Sequence, residues 1–255
     1  MQFENIKGGR GHDTLAGNSA SNQLLGNSGD DRIFGGNGSD ILIGGTGNDT
    51  YIFSATPTAE VDTLIEGVNG GIDTLDFTVL TTDVVMKLGT AILQQVHLNR
   101  RIKLNNGLQF ENLKGGSGND VLSGNSANNL LLGNAGDDRL SGGSGDDILS
   151  GGAGNDELYG GAHQDILIAG TMRYESNSAA LMKLVQQWTA DLELAQKINT
   201  FRQPSTSVNV SLLPEITVFD DGLSTNRLAG EDGIDWVFSS IGDLLYDHED
   251  GEYLN

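Results

Sequence analysis

Eleven nine-residue units on one pattern, G-G-x-G-x-D-x-U-x with U a large apolar residue, constrain this chain more than any other feature. The first block reads GGRGHDTLA from Gly8, GNSASNQLL from Gly17, GNSGDDRIF from Gly26, GGNGSDILI from Gly35 and GGTGNDTYI from Gly44. The second reads GGSGNDVLS from Gly115, GNSANNLLL from Gly124, GNAGDDRLS from Gly133, GGSGDDILS from Gly142, GGAGNDELY from Gly151 and GGAHQDILI from Gly160. Such a unit is a glycine-rich turn followed by a very short strand with one side chain facing inward. Asn stands in for glycine at Asn18, Asn27, Asn125 and Asn134, where it best tolerates the positive φ that tight turns require. Two units complete one coil, so units i and i+2 stack on the same edge, roughly 4.8 Å apart. The expected inward column is Leu15, Leu24, Ile33, Leu42 and Tyr51, then Leu122, Leu131, Leu140, Leu149, Leu158 and Leu167. A flexible Gly/Asp/Asn linker would not lock an apolar residue to the eighth position of every nine-residue unit, which rejects that reading.

Stacked turns bring aspartates face to face. Calcium is a hard cation that takes six to eight oxygens from carboxylates and backbone carbonyls, and stacked turns offer both. The expected carboxylate ligands are Asp13, Asp31, Asp40 and Asp49 in the first block and Asp120, Asp138, Asp147, Asp156 and Asp165 in the second. Backbone carbonyls are expected from Gly9, Gly11, Gly29, Gly36, Gly38, Gly45 and Gly47, and from Gly116, Gly118, Gly136, Gly143, Gly145, Gly152 and Gly154. Pairing each unit with the next but one joins Asp13 to Asp31, Asp31 to Asp49, Asp120 to Asp138, Asp138 to Asp156 and Asp147 to Asp165. Sites that include Asn22 or Asn129 are expected to be weak or empty.

The chain has 255 residues, 37 glycines, no cysteine and a formal charge of -21. Such a charge repels phosphate, which argues against a nucleic-acid partner. Two carboxylates 5 Å apart repel by about 0.8 kcal/mol in water and several-fold more at lower effective dielectric. A row of them should therefore resist closure until a cation supplies the missing folding free energy. Without cysteine no disulfide can take that part. No apolar run approaches membrane-span length, and Met1 is not followed by a signal-peptide pattern.

Residues 2–51 and 109–158 align as copies, QFENIKGG at Gln2 matching QFENLKGG at Gln109. Extended, alternating stretches precede the second copy, whereas Met1 begins where a strand should already be in place. The chain thus reads as the carboxy-terminal piece of a longer protein or as a shortened form of one. The expected organisation is a first roll block over 1–53, a strand-rich insert over 54–114, a second block over 115–170, and a helix-containing cap over 171–255. In the insert, VDTLIEG from Val61 and GGIDTLDF from Gly70 look like eroded repeats. There Asp62, Asp73 and Asp76 are read as solvated turn acids in preference to ligands. From Tyr174 to Phe201, Leu181, Leu184, Val185, Trp188, Leu192, Ala195 and Ile198 recur at helical spacing, predicting an amphipathic helix over the open end of the roll. In the tail, LAGEDGIDWVF from Leu228 reads as a degenerate repeat with Asp235 in the ligand position and Trp236 and Phe238 in the core.

No catalytic machinery is visible. His12, His97, His163 and His248 are scattered, and no H-E-x-x-H, G-x-S-x-G or Walker lysine motif occurs. The chain is therefore expected not to be an enzyme.

The nonapeptides closely resemble those of the repeats-in-toxin (RTX) family, also called hemolysin-type calcium-binding repeats. The resemblance implies an all-β fold built on a parallel β-roll, several bound Ca2+ ions, and export to the extracellular space through a bacterial type I secretion apparatus. It implies a calcium-binding module of a secreted bacterial protein that folds on meeting extracellular calcium. The alternative is the non-catalytic carboxy-terminal part of a secreted hydrolase or of a surface adhesin. The chain departs from the family pattern at Ala20, Asn22, Ala127, Asn129 and His163.

Overall fold

The computed structural model describes residues 4–68, 70–172, 218–219, 225–232, 236–238, 243–246 and 253–254. Within them the chain winds as a parallel β-roll. One face is a ten-stranded sheet of Thr14–Ala16, Arg32–Phe34, Thr50–Ile52, Thr74–Asp76, Asn112–Lys114, Leu130–Ala135, Ile148–Ala153, Ile166–Ile168, Trp236–Phe238 and Tyr253–Leu254. The opposite face is two six-stranded sheets. The first stacks Glu4–Lys7, Asn22–Ser28, Ile41–Thr46, Glu60–Ile65 and Arg100–Leu104, with Gln94–His97 at its edge. The second runs from Val85–Lys87 through Val121–Ser123, Arg139–Ser144, Glu157–Ala162 and Arg227–Asp232 to Leu244–Tyr246.

Register explains why the repeat length is nine. Leu24 lies opposite Leu42, and Leu131 opposite Leu149, so each residue meets the one eighteen positions on. Alternate units therefore face opposite sheets, and every eighth-position side chain points into the space between. All eleven residues of the expected inward column are buried and belong to one core cluster. A strand of three residues could not hold together alone; parallel neighbours above and below satisfy its backbone groups, and the shared column removes its apolar side chain from water.

Residues 54–114 contribute strands to all three sheets, so the ten-stranded face passes without interruption from one block to the other. The antiparallel pairing of Gln94–His97 with Arg100–Leu104 closes the first facing sheet where the second begins. Phe53 stacks on Phe77 with centroids 5.0 Å apart, and Tyr51 meets Phe110 edge-on at 5.8 Å, so aromatic rings fill the wider interior at this junction.

Turn chemistry corrects one expectation. Asn27 and Asn134 do adopt positive φ, at 83° and 74°, but Asn18 and Asn125 are not among the positive-φ residues. These two stand second in the units that also lack the fourth-position glycine. Their side-chain Oδ1 atoms instead accept the amides of Ala20 and Ala127, each at 2.7 Å, which makes an Asx turn of another shape. His163 and Glu231 also take positive φ, at 91° and 73°, a conformation the fold imposes on residues with a Cβ.

The expected helix over 174–201 and the ligand position at Asp235 lie outside the described residues. So do the side chains of Trp236 and Phe238, whose backbone pairs in parallel with Ile166–Ile168.

Candidate metal centre

Each nonapeptide aspartate ends its turn immediately before a strand of three to six residues, so strand stacking superimposes the carboxylates. One oxygen of each does a structural job. Asp31 Oδ1 accepts the amide of Asp13 at 2.7 Å, and Asp49 Oδ1 that of Asp31 at 2.8 Å. The second block repeats this from Asp120 to Asp138 at 2.7 Å, Asp138 to Asp156 at 2.9 Å and Asp147 to Asp165 at 2.8 Å. The five expected aspartate pairs are thus neighbours in the fold.

Topology groups the carboxylates into three rows. Beneath the ten-stranded sheet runs one continuous row across both blocks: Asp13, Asp31, Asp49, Asp73, Glu111, Asn129, Asp147 and Asp165. The first facing sheet carries Asn22, Asp40 and Asp62. The second carries Asp120, Asp138, Asp156, Asn226 and Asp243. Asp62 and Asp73, read from sequence as solvated turn acids, are buried members of these rows. Asp76, beyond the turn, is half-exposed.

The Oδ2 atoms of Asp31, Asp40, Asp49, Asp138 and Asp147 are buried without a hydrogen-bond partner. Each points at the first glycine of its own unit. A Cβ on Gly26 would stand 2.1 Å from Asp31 Oδ2 and 2.5 Å from the Gly44 carbonyl; on Gly133 it would stand 2.3 Å from Asp138 Oδ2 and 2.4 Å from the Gly151 carbonyl. Carboxylate and carbonyl oxygens from successive coils therefore converge on a space that only glycine leaves open. An oxygen-only donor set of this kind fits a hard divalent cation. The carbonyls that line this space beside Oδ2 are those of first glycines, such as Gly44 and Gly151. Those of Gly29 and Gly136, in the expected carbonyl set, point along the row at the next turn, 2.3 Å and 2.0 Å from a Cβ placed on Gly47 and Gly154. Asp13, at the open end of its row, is only half-buried, and its Oδ2 accepts the Gly9 amide at 2.6 Å. Asp120 uses its Oδ2 on the Gly116 amide at 2.7 Å.

Burial pushes five of the nonapeptide acids toward their neutral form. Desolvation lifts Asp40 and Asp120 to about 6, Asp49 to about 7, Asp138 to about 8 and Asp147 to about 9, with neighbouring carboxylates adding to the rise at Asp49, Asp138 and Asp147. Asn22 and Asn129 lack that charge. Their Oδ1 atoms accept the amides of Asn18 and Asn125, each at 2.8 Å, and Asn129 also donates to the Glu111 carbonyl at 2.9 Å.

In the first facing row the chain supplies its own cation. Arg100, fully buried, pairs with Asp62 and with Glu60 at 2.6 Å and donates to the carbonyls of Gly36 and Ser54, each at 3.2 Å. Its guanidinium thus meets two carboxylates and a turn carbonyl at the end of the Asp40–Asp62 stack. Residue identity alone hid Arg100, which lies 64 positions from Gly36. Asp62, Asp73, Glu111, Asn226 and Asp243 were findable: each begins an acid-or-amide, any, apolar triad, as in DTL, ENL, NRL and DLL, but at coil lengths other than eighteen.

The RTX calcium-binding nonapeptide repeat family matches the chain in four copies, at residues 3–26, 16–51, 114–149 and 141–171. No curated protein matches the chain. These two blocks thus carry RTX calcium-binding nonapeptide repeats, the repeats of a family that binds calcium ions, and they wind as a parallel β-roll.

Proposed function

We propose that this chain is a secreted, non-catalytic calcium-binding module whose roll closes when it meets extracellular calcium. The observation that carries the reading is the set of buried, partnerless Oδ2 atoms aimed at spaces also lined by turn carbonyls. Asp13, Asp31, Asp40, Asp49, Asp120, Asp138, Asp147, Asp156 and Asp165 would hold the ions with carbonyls of the adjacent turns. Asn22 and Asn129 would leave their positions weak. Residues 54–114 would act as a junction between the two repeat blocks, and 171–255 as a cap. Among the described residues no helix is long and apolar enough to cross a membrane.

Magnitudes favour a folding switch over passive loading. Extracellular calcium modules bind in the range of roughly 10⁻⁴ to 10⁻³ M. At ten times its dissociation constant each site stabilises the fold by about 1.4 kcal/mol, so five sites contribute about 7 kcal/mol. That equals the whole net stability of an ordinary domain.

Asp138→Ala tests the sharing of carboxylates between sites. Asp138 faces Asp120 on one side and Asp156 on the other, so calorimetric titration should show two neighbouring sites weakened together. Loss of a single ion, with every other site at its original affinity, would contradict the shared-row reading.

A further inference from the structure

Where the first block meets the insert, the ten-stranded row gains a carboxylate that belongs to no nonapeptide. Glu66 is buried, and one of its carboxylate oxygens lies with one from Asp49 and one from Asp73 within 4.8 Å of one another. Asp49 Oδ2 and Glu66 Oε1 converge on one point, each 2.2 Å from a Cβ placed on Gly44. Glu66 Oε2 and Asp73 Oδ2 converge likewise at Gly70, at 3.0 and 3.2 Å. The Oδ2 atoms of both aspartates are buried and lack any hydrogen-bond partner.

Glu66 is held in place on several sides. The Tyr51 hydroxyl accepts the Gly44 amide at 2.6 Å, so its own proton is directed at Glu66 Oε1, with which it makes a close contact. Glu66 Oε2 accepts the Gly45 amide at 3.3 Å. The backbone of Glu66 is clamped by Asn105, which accepts its amide at 3.0 Å and donates to its carbonyl at 2.7 Å. Three carboxylates are thus fixed around one space, and among the described residues no lysine, arginine or histidine forms an ion pair with any of them. One coil away, the insert answers the same problem oppositely, placing Arg100 between Glu60 and Asp62.

We infer that Asp49, Glu66 and Asp73 form a three-carboxylate site for a hard divalent cation of the calcium class, and that it is the tightest site on the chain. The inference rests on the calcium reading of the rows and goes beyond it, because Glu66 and Asp73 stand outside the nonapeptides. Calcium affinity rises with the number of charged ligands and the rigidity of the site, and both are greater here than between two aspartates. The ion that fills it joins the repeat block to the insert and is the first to bind.

Terbium(III) titration of the full chain, with calcium competition, reads this site because Tyr51 can sensitise emission from an ion held against Glu66. The wild-type chain should show an early tyrosine-sensitised event that calcium displaces. Glu66→Gln, nearly isosteric, should weaken that event by about tenfold or more while the later, weaker sites keep their affinities. Tyr51→Phe, which removes the sensitiser together with the hydroxyl held against Glu66, should lose the early emission. An unchanged tightest class in Glu66→Gln, with the remaining sites filling normally, overturns this inference and leaves the repeat sites standing. No calcium bound by the wild-type chain overturns both. Should Glu66→Gln fail to give the strand spectrum at saturating calcium, Tyr51→Phe decides: early emission that survives overturns the inference, and its loss supports it.

Discussion

Asp31, Asp40, Asp49, Asp138 and Asp147 put their two oxygens to different uses. Oδ1 ties the coil to its neighbour through a backbone amide, and Oδ2 is buried without a hydrogen-bond partner, which on the proposed reading leaves it for a cation. Gly26 tests this division without backbone strain, since its φ is not positive and only the space it leaves is at issue. In Gly26→Ala the new methyl group would displace Asp31 Oδ2 or press on the fixed Gly44 carbonyl. Calcium stoichiometry by equilibrium dialysis should fall by one ion, with the strand spectrum retained at saturating calcium; an unchanged stoichiometry would contradict the placement. The same oxygens set the pH dependence. A carboxyl whose pKa in the fold lies above its unfolded value of about 4 stabilises the metal-free fold by staying protonated. That contribution is complete below about pH 4 and is lost as pH rises through the folded values, from about 6 at Asp40 and Asp120 to about 9 at Asp73 and Asp147. In chelator, the strand signal in circular dichroism should therefore increase from pH 8 to pH 5. A signal that falls on acidification would contradict this protonation-linked gain.

At the scale of strands and turns, the coil was legible wherever its length stayed at eighteen residues. The inward leucines, the i to i+2 stacking and the aspartate pairs all follow from that period, because parallel register fixes what faces what. Where loops lengthen the coil, the period fails although the local signal survives. Asp62-Thr63-Leu64 and Asp73-Thr74-Leu75 keep the acid, spacer and apolar order of the repeat, so their burial could have been read from the triad. Glu66 carried no such signal, since its place depends on Tyr51 and Asn105 from other coils. Arg100 was equally silent, because only the parallel pairing of its strand with Glu60–Ile65 sets it beside Asp62. Its removal gives a prediction at this scale. Arg100→Met would leave Glu60 and Asp62 buried without their cation, which costs about 3 to 5 kcal/mol for a buried pair. Urea unfolding at saturating calcium should show that loss, and a change below about 1 kcal/mol, the worth of a surface pair, would mean the guanidinium is not the charge that closes this end of the row.

Across the whole molecule, a solenoid has no central core to fall back on, and each coil is stabilised by its neighbours. The formal charge of -21 is concentrated in part along rows that the fold compresses, so closure works against its own electrostatics. The continuous row beneath the ten-stranded sheet links both blocks, which makes folding of one favourable to folding of the other. On this account the chain holds an open state when calcium is scarce and a closed roll when calcium is abundant, a property suited to passage between two such environments. Far-ultraviolet circular dichroism of the full chain at neutral pH, in EGTA and then with calcium added to several millimolar, tests this most directly. Strand signal should be weak in chelator and rise cooperatively as calcium is added. A strand spectrum already complete in EGTA and unmoved by calcium would contradict the claim that ions close the roll.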